Sequence, residues 1–144
     1  MNHMNAISAG PVFLDTNIIV YSHDSDDIRK RDIASDLLFH ALKKRRGVIS
    51  AQVLGETFAT FVKKYHRDPE EAADEIRKST QFRVVDLAKA LVLRGLGIKA
   101  TFGLPYRDSL IMAAAERSSC PIVFSEDLND GQQYGTVKVV NPFK

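Results

Sequence analysis

Short apolar runs alternate along this chain with longer stretches in which apolar residues recur every three to four positions. Val12-Phe13-Leu14 is the first such run, and Asp15 closes it. From Ile28 to Lys44, Ala34, Leu37, Leu38, Ala41 and Leu42 fall at helical spacing with charges between them, which predicts an amphipathic helix. Gly47 breaks the pattern, and Val48-Ile49-Ser50 reads as a second strand. Leu54, Phe58, Phe61, Val62 and Tyr65 form the stripe of the next helix. Asp68-Pro69 stops it and starts another, rich in acids and alanine, to about Lys78. Phe82 to Val85 predicts a third strand, and Leu87 to Leu96 an apolar helix with Gly97 as its stop. Pro105 suits the first turn of a helix to about Arg117. Pro121 to Phe124 and Val137 to Val140 complete the strands.

Strands that are apolar throughout and alternate with helices indicate a parallel sheet covered on both faces. The expected fold is α/β, a three-layer sandwich around a parallel sheet of four to five strands. No repeat or linker divides residues 11–144, which are expected to form a single domain; residues 1–10, small and polar, are expected to be poorly ordered. A length of 144 residues with 44% hydrophobic and 26% charged suffices for a core without metal or disulfide staples. The single cysteine, Cys120, cannot close an intrachain disulfide and suits a reducing compartment. The longest apolar run, Leu110 to Ala115, falls far short of the ~20 residues that cross a bilayer. The start shows no basic, then apolar, secretory pattern, so a soluble cytoplasmic protein is the expectation.

Ligand sites of open α/β sheets lie beyond the carboxyl ends of the strands. Here those ends are acidic. Asp15 closes strand one, Glu56 follows strand two within two helical turns, and strand four runs into Ser125-Glu126-Asp127. Asp108 sits in the first turn of the helix that feeds strand four. If strands two and four flank strand one, these acids meet at one sheet edge. Clustered carboxylates repel unless a cation neutralises them, and oxygen-only ligands favour Mg²⁺ or Mn²⁺. Such an ion activates water and offsets charge on a phosphoryl group, which suggests metal-assisted phosphodiester hydrolysis. Singly, each aspartate has a structural alternative: Asp15 as a helix cap, Asp108 as a favourable first-turn acid, Asp127 as a turn initiator. Asp86 reads as a cap beside an edge strand, and the acids of residues 24–36 and 70–75 as solvated helix faces.

The residues around these acids resemble the motifs of PIN-domain nucleases. Phe13-Leu14-Asp15-Thr16-Asn17, followed by Ile18-Ile19-Val20-Tyr21, is similar to the opening motif. Glu56, in Ser50-Ala51-Gln52-Val53-Leu54-Gly55-Glu56, matches the second acidic position. Arg107-Asp108-Ser109-Leu110 resembles the third and Phe124-Ser125-Glu126-Asp127-Leu128 the fourth, while Val139-Val140-Asn141-Pro142-Phe143 is similar to the ending of VapC-type toxins. The resemblance implies a Mg²⁺-dependent ribonuclease of the toxin–antitoxin type, in which a metal-activated water attacks the scissile phosphate. It implies Asp15 and Asp108 as principal metal ligands, Glu56 and Asp127 completing the site, and Asn17 and Ser125 orienting the carboxylates. Asp130 is a further acid that either joins the site or stabilises the Asn129-Asp130-Gly131 turn. A VapB-like antitoxin partner and a homodimer are implied as well.

Twenty Lys+Arg against eighteen Asp+Glu gives a net charge of +2, excluding a polycationic tail protein and an acidic disordered one. Setting aside the four site acids leaves fourteen against the twenty bases, a moderately basic body around an acidic pocket. Lys43-Lys44-Arg45-Arg46 and Lys63-Lys64-Tyr65-His66-Arg67 are candidate RNA contacts, although helix C-termini favour cations anyway. A non-catalytic PIN-like RNA-binding module is the alternative function. A receiver-type phosphorylation switch is less suited, because Asp15-Thr16-Asn17 supplies only one acid after strand one.

Overall fold

The chain was analysed as a computed structural model that describes residues 3–144. In chain order its elements are α1 (His3–Ala9), β1 (Val12–Leu14), α2 (Thr16–Tyr21), α3 (Ile28–Lys43), β2 (Gly47–Ser50), α4 (Ala51–Lys63) and α5 (Pro69–Ser79). There follow β3 (Arg83–Val85), α6 (Lys89–Phe102), α7 (Tyr106–Arg117), β4 (Ile122–Phe124), β5 (Gln133–Tyr134) and β6 (Val137–Val140). The sheet runs β3-β2-β1-β4-β6-β5 and is parallel except for the β5–β6 hairpin.

That order puts β1 at the centre, between β2 and β4, with Phe13 in register with Val48 and Val123. Every residue of β1, β2 and β4 is buried. Such strands read as unbroken apolar runs because helices cover both faces. Each fully buried side chain such as Phe13 or Phe124 contributes about 1.5–3 kcal/mol of burial. α7 lies against β2, β4 and β6 and packs on α6, so Ser109 through Ala115 are all buried.

Five expectations need correction. Residues 3–9 are helical, with Ala6 and Ile7 buried in the core, so the start is not uniformly loose; positions 1 and 2 lie outside the described residues. α2 was foreseen only through Asp15 as a possible helix cap: its six residues are too few for a helical period, and buried Ile18, Ile19 and Val20 hide what there is. Gly97 does not stop a helix, since α6 continues to Phe102 and ends at Gly103, whose φ of 69° suits glycine. Gly95, two residues earlier, serves packing: a Cβ there would lie 2.8 Å from Leu110 Cδ2. Asp86 does not cap α6, which starts after Ala88 without a side-chain cap. The hairpin strand β5 extends the sheet beyond the expected count.

Candidate active site

Each acid reaches the carboxyl edge of the sheet by a different local device. Asp15 ends β1 and caps α2, accepting from Thr16 N at 2.7 Å, so its structural and chemical roles coincide. It is 1% exposed. Ser50 caps α4 by accepting from Val53 N, which aims the first two turns of α4 back over the sheet edge and brings Glu56 with them. Asp108 sits in the first turn of α7, where the helix dipole favours an acid. Asp127 follows β4 in a loop held by Asp127 N donating to Ser125 Oγ at 3.1 Å.

The four acids meet at one guanidinium. Arg107 Nη2 donates to Asp15 Oδ1 and Glu56 Oε1, each at 2.6 Å. Nη1 reaches Asp15 Oδ2 at 3.1 Å and Asp108 Oδ1 at 3.0 Å, and lies 3.7 Å from Asp127 Oδ2. Nε donates to Glu56 Oε2 at 3.0 Å. Around this centre Thr16 Oγ1 donates to Glu56, and Gln52 Nε2 holds the Arg107 carbonyl at 3.1 Å. Ser125 Oγ donates to Asp15 Oδ2 at 2.7 Å and accepts from Asn17 Nδ2. Asn17 and Ser125 therefore sit where they orient Asp15 and the Asp127 loop. Asp130 does not join them: it is exposed and accepts from Asn141 N at 2.8 Å, tying down the C-terminal turn.

The electrostatics follow from that arrangement. Burial pushes the Glu56 carboxyl up, but hydrogen bonds from Arg107 and Thr16 outweigh it and hold it below the usual range. Burial likewise pulls Arg107 down, yet its bonds to Asp15 and Glu56 hold it above the ordinary arginine value. Asp127 goes the other way. Burial and the charge of Asp15 push it up, and Arg107 and Asn17 only partly oppose them. Four carboxylates against one guanidinium leave the site short of positive charge.

Among the described residues no group of three or more His, Cys, Asp or Glu is arranged to hold a metal ion, since each acid here turns to Arg107. The donor chemistry nonetheless fits a hard divalent cation: every oxygen is a carboxylate, hydroxyl or amide oxygen. Asn17 Oδ1, beside this set, is buried and has no hydrogen-bond partner. Asp15, Glu56, Asp108 and Asp127 are the residues that would hold such an ion once the guanidinium moves aside.

A cleft of about 480 Å³ opens over Glu56, Asp127 and Arg107, lined also by Asn17, Lys64 and Tyr65. Lys64 and Tyr65, from the second basic cluster, are thus beside the site. Tyr65 donates to Asp24 Oδ2 at 3.2 Å, and burial together with the Asp24 charge pushes its phenol up to about 12. Asp24 and Glu75, expected as solvated, are half-buried; Glu75 Oε2 lies 3.3 Å from His23 Nε2. Lys43 to Arg46 precede β2 and therefore lie at the opposite, amino edge of the sheet, away from the acids. Cys120 is buried and free, as a small apolar residue would be.

Such an edge, with acids from four separate segments on a parallel sheet of this order, marks a nuclease-like α/β fold. The PIN domain family model matches residues 12–130, and the chain belongs to the PIN domain family. Among solved structures it is similar to VapC20 of Mycobacterium tuberculosis, a sarcin-ricin loop cleaving toxin, with TM-score 0.66 and 23% identity over 81% of this chain and 91% of that one. It is similar also to a toxin–antitoxin complex from Klebsiella pneumoniae, with TM-score 0.63 and 19% identity over 91% of this chain and 97% of that one. VapBC2 from Rickettsia felis, bound to a DNA fragment from its promoter, gives TM-score 0.66 and 15% identity over 89% and 96%. At these identities the shared property is the fold. No curated protein sequence matches the chain.

Proposed function

We propose that the protein is a Mg²⁺-dependent endoribonuclease, with Mn²⁺ as a substitute, and the toxin of a VapBC-type pair. The observation that carries this reading is the convergence of Asp15, Glu56, Asp108 and Asp127 on one guanidinium that lines an open cleft. When bound there, a divalent ion activates water and offsets charge developing on the scissile phosphate. Asp15 is held rigid by Thr16 N, Ser125 Oγ and Arg107, so its oxygens are preorganised. Asp127, on the cleft wall with Oδ2 3.7 Å from Arg107 Nη1, completes the acid set from the loop after β4. Lys64 at the cleft rim offers a cation to a neighbouring phosphate.

An antitoxin segment carrying a basic side chain would compete for the same acids. Exposed Leu93 and Leu96, three residues apart on α6, provide an apolar patch suited to a homodimer. No described helix is long and apolar enough to cross a membrane. The second reading, a non-catalytic PIN-like RNA-binding module, draws on the neutralising position of Arg107. One experiment separates the two. Purified protein should cleave cellular RNA with Mg²⁺, and EDTA or Asp15→Ala should abolish cleavage. Binding without cleavage under every divalent ion supports the module and refutes the nuclease.

A further inference from the structure

The amino edge of the sheet, opposite the acids, carries a charge concentration of its own. α3 ends at Lys43, and the chain turns through Lys44, Arg45 and Arg46 into β2, with Arg45 at a left-handed φ of 56°. Arg83 opens β3 beside it, in register with Val48. All five cations are exposed, and among the described residues none has a carboxylate within ion-pairing distance. The dipole of α3 accounts for cations in its last turn. It does not account for Arg46 beyond the helix end or for Arg83 on the neighbouring strand.

Between them lies a cavity of about 500 Å³ walled by Leu42, Arg45, Gly47, Gln81, Phe82 and Arg83. The Phe82 ring occupies its place only because residue 47 is glycine: a Cβ there would sit 2.5 Å from Phe82 Cδ1. The result is two arginines flanking an aromatic ring in a space of ligand-accepting size. Guanidinium groups that track a backbone, together with a ring that receives a base, are what single-stranded nucleic acid engages. An acidic polypeptide would satisfy the charges but leave the aromatic cavity unused.

We propose that this edge is a second RNA-binding site, separate from the acidic cleft, which grips the phosphodiester backbone through Arg45 and Arg83 and takes a base against Phe82. It rests on the reading of RNA as substrate. The four residues of β2 set the two edges at least about 10 Å apart, so one strand must pass around the sheet to engage both.

The test is fluorescence anisotropy of a fluorescein-labelled single-stranded RNA in EDTA, where no cleavage occurs. Arg45→Gln/Arg83→Gln should weaken binding about tenfold and lower the slope of log K against log salt by about 1.4, two contacts' worth. The same variant should cleave a dinucleotide reporter at the wild-type rate with Mg²⁺. Unchanged affinity and slope overturn the proposal, as does displacement of RNA by polyglutamate at equal charge. If the double variant melts early, Lys43→Glu/Lys44→Glu, both exposed, carries the measurement. Charge-dependent binding with no cleavage by wild type would leave this site standing and remove the nuclease.

Discussion

Replacing Arg107 by methionine keeps most of the aliphatic volume and removes the one charge on which the four acids converge. In the metal-free protein the variant leaves Asp15, Glu56 and Asp108 facing one another without their ion pairs. Removing one partner of a fully buried pair costs 3–5 kcal/mol. The Arg107 side chain is 32% exposed, so solvent screening reduces the loss to about 2–3 kcal/mol. For a chain of 144 residues that corresponds to a fall in Tm of about 6–12 °C. Circular dichroism melts in EDTA measure it. Adding Mg²⁺ or Mn²⁺ should narrow the gap, because an ion that takes the place of the guanidinium stabilises the variant more than the wild type; ligand at ~100 times its Kd contributes about 2.7 kcal/mol. The effect also depends on pH. Glu56 is held below its ordinary value, so its contribution is present above about pH 4.3 and is lost as pH falls through the depressed value. The gap between wild type and variant should therefore shrink in acid. Equal melting temperatures in EDTA at neutral pH would refute the reasoning, as would a gap that saturating divalent ion leaves untouched.

Two further predictions follow from the same geometry and packing. Asp127 has a raised folded-state value, so its ionisation destabilises the metal-free fold as pH rises; Asp127→Asn should raise Tm in EDTA at pH 7 but not below about pH 4, and should abolish RNA cleavage. A melt showing the same shift at both pH values would rule out this origin. Gly95→Ala places a Cβ 2.8 Å from Leu110 Cδ2 where α6 meets α7, and overpacking of about 1–3 kcal/mol should exceed the ~1 kcal/mol gained in helix propensity. Urea titration should therefore show a net loss in Gly95→Ala and none in Gly97→Ala, which has only the flexible Arg94 tip nearby.

The parts of this fold that were legible in the sequence are those where one residue feature has one structural meaning. Val12-Phe13-Leu14 and Ile122-Val123-Phe124 read as buried parallel strands because each is a short apolar run set between helical stretches, one closed by Asp15 and the other opened by Pro121. Asp15, Glu56, Asp108 and Asp127 were legible as a group because the order of strands fixes which ends share an edge. Arg107 was visible in the third motif but was assigned no part. Its sign opposes that of its neighbours, and only the three-dimensional convergence shows that a cation belongs in the middle. A basic residue adjacent to a site acid was the available signal. Lys43 to Arg46 were read as candidate RNA contacts on charge alone, and their position just before β2 rather than after it puts them at the edge opposite the acids.

The burial of α7 has a consequence for how the site is lost. Arg107 and Asp108 sit in the first turn of a helix whose next seven residues, Ser109 to Ala115, are all buried. Helices of that kind exchange their amide protons only when the whole domain opens, unlike surface helices that fray. The charged turn at its head is thus mechanically continuous with the buried core. Partial unfolding confined to α5, which carries no site residue, leaves the acids and the guanidinium in register. The chemistry of this edge and the integrity of the fold therefore disappear together, in a single transition.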